Sequence, residues 1–124
     1  MQLLKTEQVY VDIALEGVGT VRVSTMYFPK CRYGSGAGDY WETAILWPED
    51  WEGVQFTPDG DGFDVTSCNR GHDAGREAAM DDQEYWSNPQ QLARMAAAIM
   101  RNRWTPAQWR HTGWYSKSLR EVCA

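Results

Sequence analysis

Hydrophobic and polar residues alternate strictly near the start of the chain. Val9, Val11, Ile13 and Leu15 alternate with Tyr10, Asp12, Ala14 and Glu16, the period of two that marks a half-buried strand. After the turn signal Gly17-Val18-Gly19, the segment from Thr20 to Phe28 places Val21, Val23, Thr25 and Tyr27 on one side, so the two runs predict a hairpin. Pro29 closes it, because proline offers no ladder donor. A glycine-bearing loop from Lys30 to Tyr40 leads to a third strand, Tyr40 to Trp47, rich in aromatic and β-branched residues and ended by Pro48. Glu49 to Gly62 carries Pro58, Gly60, Gly62 and several acids, the composition of a surface loop or wide turn, with a short extended piece expected at Val54 to Thr57. Phe63, Val65 and Ser67 suggest a fourth strand.

From Asp73 the period changes to that of a helix, weakened by Gly75, which costs about 1 kcal/mol relative to alanine in a helix interior. The next helix is clearer. Ser87 or Asn88 can cap it, Pro89 suits its first turn, and Leu92, Met95, Ala96 and Ile99 recur at helical spacing. That stripe, with Met100, is expected to pack on the sheet. Thr105-Pro106 repeats the cap-then-proline signal before a short turn through Trp109, and Ser116 can cap a last helix to Cys123. Strands first and helices afterwards predict a single α+β domain over 1–124: an antiparallel sheet of about four strands, with the C-terminal helices on one face.

Composition narrows the classes. A chain of 124 residues, 43% hydrophobic and 23% charged, is sized for one ordinary core. No apolar run approaches the roughly 18 residues of a spanning helix, and the first residues lack the basic start and apolar centre of a signal peptide. A cytoplasmic protein without membrane association is therefore expected. Cys31, Cys68 and Cys123 are odd in number and widely spaced, which favours reduced thiols over a disulfide framework.

Charge is segregated along the chain. Asp39 to Glu84 holds thirteen Asp or Glu against Arg70 and Arg76, whereas Gln91 to Ala124 holds six basic residues and one acidic. Either the two blocks attract one another within the fold, or the acidic block faces a basic partner, where charge of one sign speeds and selects encounter.

The chemistry-bearing residues form no complete catalytic or metal pattern. Cys68 and His72 are one local ligand pair without a second, so neither a metal nor a cofactor is expected. Asp59-Gly60-Asp61-Gly62-Phe63-Asp64 puts Phe63 where a calcium loop needs an oxygen ligand, and reads as a turn. Gly34 to Gly38 is followed by a strand, without the Lys-Ser/Thr and helix N-terminus of a phosphate loop. His72, near a helix start, reads as a polar cap or surface residue. Ser67 and Cys68 just upstream of it would need distant partners for a triad.

Trp104 and Trp109, with Trp114, recur among Arg101, Arg103, Arg110 and Lys117, a mixture of stacking faces and cations used on single-stranded nucleic acid. Their five-residue spacing fits neither one helical nor one strand face. Some of these rings are expected to seal the core, with a nucleic-acid surface as the alternative.

Val23-Ser24-Thr25-Met26, a glycine-bearing loop and Trp41-Glu42-Thr43-Ala44-Ile45-Leu46 together resemble a group of small uncharacterised bacteriophage and prophage proteins. Those show a Val-Ser-Thr-Val start, a Phe-Glu-Thr-Met-Val-Phe strand and a Gly-His pair in an alanine-rich helix. Gly71-His72 is the counterpart here, after a longer loop and with the helix following the pair. The resemblance covers Val23 to about Met80. It implies an accessory protein made in an infected bacterial cell, with Glu42 and Thr43 pairing across the sheet. By analogy, such a protein binds and inhibits a host protein, for instance a CRISPR or restriction defence component, by occupying its surface. The expected contact surface is acidic: Glu49, Asp50, Glu52, Asp59 and Asp61.

Overall fold

A computed structural model describes residues 7–29, 38–57 and 62–103. Four strands, β1 (Gln8–Leu15), β2 (Gly19–Phe28), β3 (Tyr40–Leu46) and β4 (Phe63–Arg70), precede two helices, α1 (Asp73–Trp86) and α2 (Pro89–Asn102). The sheet is antiparallel, with its strands side by side in chain order. Both helices lie on one of its faces, and the fold is α+β as expected.

The alternation of the first strands decides which face is covered. Val11 stands opposite Val23 and Ile13 opposite Val21, and Val23 in turn opposite Ile45. Val21, Val23 and Ile45 are fully buried beneath Trp86, Leu92, Met95 and Ile99 of the helices. At about 25 cal/mol per Å² of apolar surface removed from water, this continuous cluster is the main stabilising term. Asn88 is the residue that caps α2, its side chain accepting from the Gln90 N–H at 2.9 Å. Ser87 serves the preceding helix instead, donating to the Gln83 carbonyl at 2.6 Å.

Buried polar groups under α1 fix its position. The Thr43 hydroxyl donates to the Ala79 carbonyl at 3.1 Å, and because it has a single proton it must accept from Thr25, 3.0 Å away. Thr43 therefore pairs across the sheet and also ties β3 to the helix. Glu42 points to the opposite face, where it is buried with Ser24, Tyr40 and Ala44; the Cys68 thiol lies 4.0 Å from its Oε2. Between Thr43 and Ala44 the register on β4 shifts. Thr66 is the extra residue, and its hydroxyl sits 2.6 Å from Asp82 Oδ2.

The expected extended piece at Val54 to Thr57 is corrected to a 3₁₀ helix, Glu52–Phe56. Trp51 folds over the backbone of Gly53, where an added Cβ would lie 2.3 Å from the indole. Thr57, fully buried, donates to the Val54 carbonyl at 2.9 Å. The Val54 N–H bonds to the Trp51 carbonyl and the Thr57 N–H to the Val54 carbonyl, each at 3.1 Å, the i to i+3 bonds of the tighter turn. The Gly34 to Ala37 part of the glycine-rich loop, Asp59-Gly60-Asp61 and everything after Arg103 lie outside the described residues.

Candidate functional site

Three of the five expected acidic contacts are described. Glu49, Asp50 and Glu52 are exposed on the turn that leads from β3 into the 3₁₀ helix. The base beneath them is fixed, since Trp47 and Trp51 are buried with ring centroids 4.8 Å apart. Trp47 Nε1 donates to the buried Asp64 Oδ2 at 2.8 Å. Asp59 and Asp61 lie outside the described residues. Among the described residues the ion pairs join Arg22 to Asp12 and His72 to Glu7 and Asp73. None joins the acidic block to the basic residues of α2.

Of the residues in the nucleic-acid alternative, Arg101 and Arg103 are exposed at the end of α2. Arg103 is the left-handed C-cap, with its guanidinium 5.8 Å from the centre of the Phe56 ring. Trp104, Trp109 and Arg110 lie outside the described residues.

His72 occupies the N-cap position of α1, but its side chain makes no capping bond. The ring instead bridges two elements: Nε2 lies 2.6 Å from Glu7 Oε2 at the head of β1, and Nδ1 2.9 Å from Asp73 Oδ1. Tyr27 meets it edge-on at 4.9 Å, and Trp41 Nε1 donates to the His72 carbonyl at 2.7 Å. Two carboxylates facing both ring nitrogens suit only the imidazolium, in which each nitrogen donates. The hydrogen bond to Asp73, then that to Glu7, raises the His72 pKa above its ordinary value. Tyr27 donates to Asp39 at 2.7 Å, and that bond pushes its pKa up to about 12.

While protonated, His72 donates from both ring nitrogens and offers no lone pair to a nucleophile's proton. The upstream Ser67 accepts from Asn69 at 3.2 Å, and Cys68 lies on the other side of the sheet beside Glu42. The cluster works as a clamp between β1 and α1. Because the folded-state pKa is raised, the clamp contributes in full below the ordinary histidine value of about 6.5 and is lost as pH rises through the folded value. Titration of the His72 ring protons by NMR is expected to give a midpoint above about 6.5, lowered by Asp73→Asn and by Glu7→Gln. An unshifted midpoint would break the clamp assignment.

One concave feature was not legible in the sequence. A groove of about 640 Å³ opens between β1 and α1, lined by Val11, Met80, Gln83 and the carboxylates of Glu77, Asp81 and Glu84. Val11, on the apolar face of its strand, remains 41% exposed there. Alternation fixes which face a residue takes, but how far a helix reaches over that face depends on packing.

Among the described residues no three or more His, Cys, Asp or Glu side chains converge to hold a metal ion. No helix among them is long and apolar enough to cross a membrane. No family model, no curated protein and no solved structure matches the chain.

Proposed function

We propose that the chain is a small protein-binding domain whose carboxylates meet a basic surface of a partner protein. The observation that carries this reading is the exposure of Glu49, Asp50 and Glu52 on a segment anchored by buried tryptophans, with no cation paired to them among the described residues. Charges held on a rigid base need little ordering when a partner arrives, and desolvating them against Lys or Arg gives selectivity and fast encounter. The resemblance to bacteriophage proteins supplies the setting. The domain acts as an accessory protein in the cytoplasm of an infected bacterium and inhibits a host defence protein by covering part of its surface.

The test is a pull-down from bacterial lysate, with and without nuclease, using the wild-type chain and the variant Glu49→Lys, Asp50→Lys, Glu52→Lys. A protein partner held by the wild type after nuclease treatment and lost by the variant is the expected result. The thermal midpoint should change little, because each exposed substitution costs within about 0.5 kcal/mol. Equal capture by both chains would overturn the reading. Capture that disappears with nuclease would move the contact to Arg101, Arg103 and the basic segment that follows.

A further inference from the structure

The groove between β1 and α1 combines three features that point to one kind of ligand. The first is a sheet edge with no strand beyond it among the described residues. β1 is an outer strand, and the Tyr27 N–H bonded to the Glu7 carbonyl at 2.9 Å sets the phase of its ladder with β2. In an antiparallel pair the bonded positions alternate. Residues 7, 9, 11, 13 and 15 therefore face β2, and the N–H and C=O groups of Gln8, Tyr10, Asp12 and Ala14 face away from the sheet. Such an edge is a template for one more strand.

The second feature is charge. Glu77, Asp81 and Glu84 stand at i, i+4 and i+7 on one side of α1, exposed and with no cation bound to them among the described residues. Like charges four apart on a helix repel, so an incoming cation relieves a strain already present. The third is Gln83. It is only 3% exposed, it lines the groove, and its Oε1 has no hydrogen-bond partner among the described residues. A buried carbonyl without a hydrogen-bond partner is costly, and a donor that reaches it recovers that cost. The terminal amide torsion of glutamine is soft, so this oxygen can turn to an arriving donor at little cost.

We propose that this groove binds an extended, basic segment of a partner protein, which adds a fifth strand along β1. Its alternate Lys or Arg side chains meet Glu77, Asp81 and Glu84, one of them donating to Gln83. Alternate residues of a strand repeat every ~6.8 Å, while helix residues four and three apart rise by ~6 Å and ~4.5 Å; the long Lys and Arg stems absorb the difference, so successive cations can reach successive carboxylates. The intervening side chains turn to the other face, beside Tyr10. Val11 and Met80 receive the aliphatic stems of the cations, as such stems commonly lie on apolar surface. The site is separate from Glu49, Asp50 and Glu52 and does not depend on the reading given for them.

The probes are two labelled synthetic peptides of equal charge, one alternating Lys and Thr and one with the lysines in a single block, titrated into the full chain by fluorescence anisotropy. The alternating peptide is expected to bind at least fivefold more tightly than the block peptide, and to bring exchange protection to the amides of Gln8, Tyr10 and Asp12. Glu77→Gln with Asp81→Asn and Glu84→Gln should weaken it by at least tenfold. Tyr10→Pro removes an outward N–H without breaking the pairing to β2, and should abolish the preference for the alternating peptide.

Equal affinity for both peptides, unaffected by Tyr10→Pro, would show diffuse attraction and overturn the proposal. So would pairing of two copies of the chain through β1, seen as a dimer in sedimentation that excludes the peptide. The Glu49→Lys, Asp50→Lys, Glu52→Lys variant should bind the alternating peptide as the wild type does. Loss of the lysate partner with peptide binding intact, or the reverse, therefore tells the failure of one site from that of the other.

Discussion

Gly75→Ala is expected to destabilise the domain by about 2 kcal/mol, although alanine is favoured over glycine in a helix by roughly 1 kcal/mol. A Cβ at residue 75 would lie 2.5 Å from the Asn69 carbonyl oxygen and 2.7 Å from that of Arg70. Both oxygens belong to the backbone of β4, whose residues 69 and 70 are paired to Trp41 and Tyr40. The corner beyond them is closed by the Gly71 N–H bonded to the Asp39 carbonyl at 3.1 Å. Neither oxygen can yield like the tip of a flexible side chain, so α1 must lift away from β4 and loosen its contacts. Overpacking of this kind costs roughly 1–3 kcal/mol, and more when backbone has to move.

The neighbouring Ala74 is exposed in the same turn. Ala74→Gly should therefore show the ordinary propensity loss of about 1 kcal/mol. Urea unfolding of both variants measures the contrast: at one position alanine is the better residue, and one step along the helix it is the worse. If Gly75→Ala proved more stable than the wild type, α1 would not rest on the Asn69–Arg70 backbone.

The case of Gly75 also shows where sequence reading stops. Its helical neighbours were legible, and so was its propensity cost, but the sign of its contribution depends on a carbonyl brought against it by tertiary packing. The elements that were legible are those whose signals are local. The alternation from Val9 to Leu15 and from Val21 to Tyr27 became the hairpin, and Asn88-Pro89 became the cap and first turn of α2. The turn after Trp51 was misread because the packing of an indole over Gly53 leaves no local pattern. The bulge at Thr66 left no mark either, since Thr66 is set apart by its approach to Asp82 across the sheet-helix interface.

Glu49, Asp50 and Glu52, placed in a surface turn by the composition around them, are exposed. The bridge from His72 to Glu7 spans 65 positions, and no local pattern foretells it. Gln83 follows the same rule. As a polar residue amid acids it reads as solvated, yet the helix turns it inward beside Ala79 and Trp86.

Trp86→Ala should have the largest effect of any single substitution. The side chain is 1% exposed and belongs to the cluster that joins the sheet to both helices, with the Tyr85 ring edge-on at 5.0 Å. It is the last residue of α1, followed directly by Ser87, which closes that helix, and Asn88, which opens the next. Its removal takes away packing at the point where both helices are oriented. Deleting a buried tryptophan costs roughly 3–5 kcal/mol, combining lost transfer energy with an unfilled cavity. Domains of this kind hold only about 5–15 kcal/mol in total. At ~4 °C per kcal/mol, the thermal midpoint read by far-ultraviolet circular dichroism should fall by about 12–20 °C. Trp86→Phe, which leaves an aromatic ring in place, should cost less than half as much.

The cavity explanation has a signature of its own. An apolar cavity left by a truncated ring stays dry and accepts small aromatic molecules. A ligand that binds only the folded chain raises its stability as RT ln(1 + [L]/Kd). Indole should therefore restore part of the midpoint lost by Trp86→Ala, in proportion to the logarithm of its concentration, while leaving the wild type unchanged. Rescue would place the loss in the vacated volume. A large loss without rescue would mean that the helices have closed over the gap, and that Trp86 sets the position of α2 as well as filling the space beneath it.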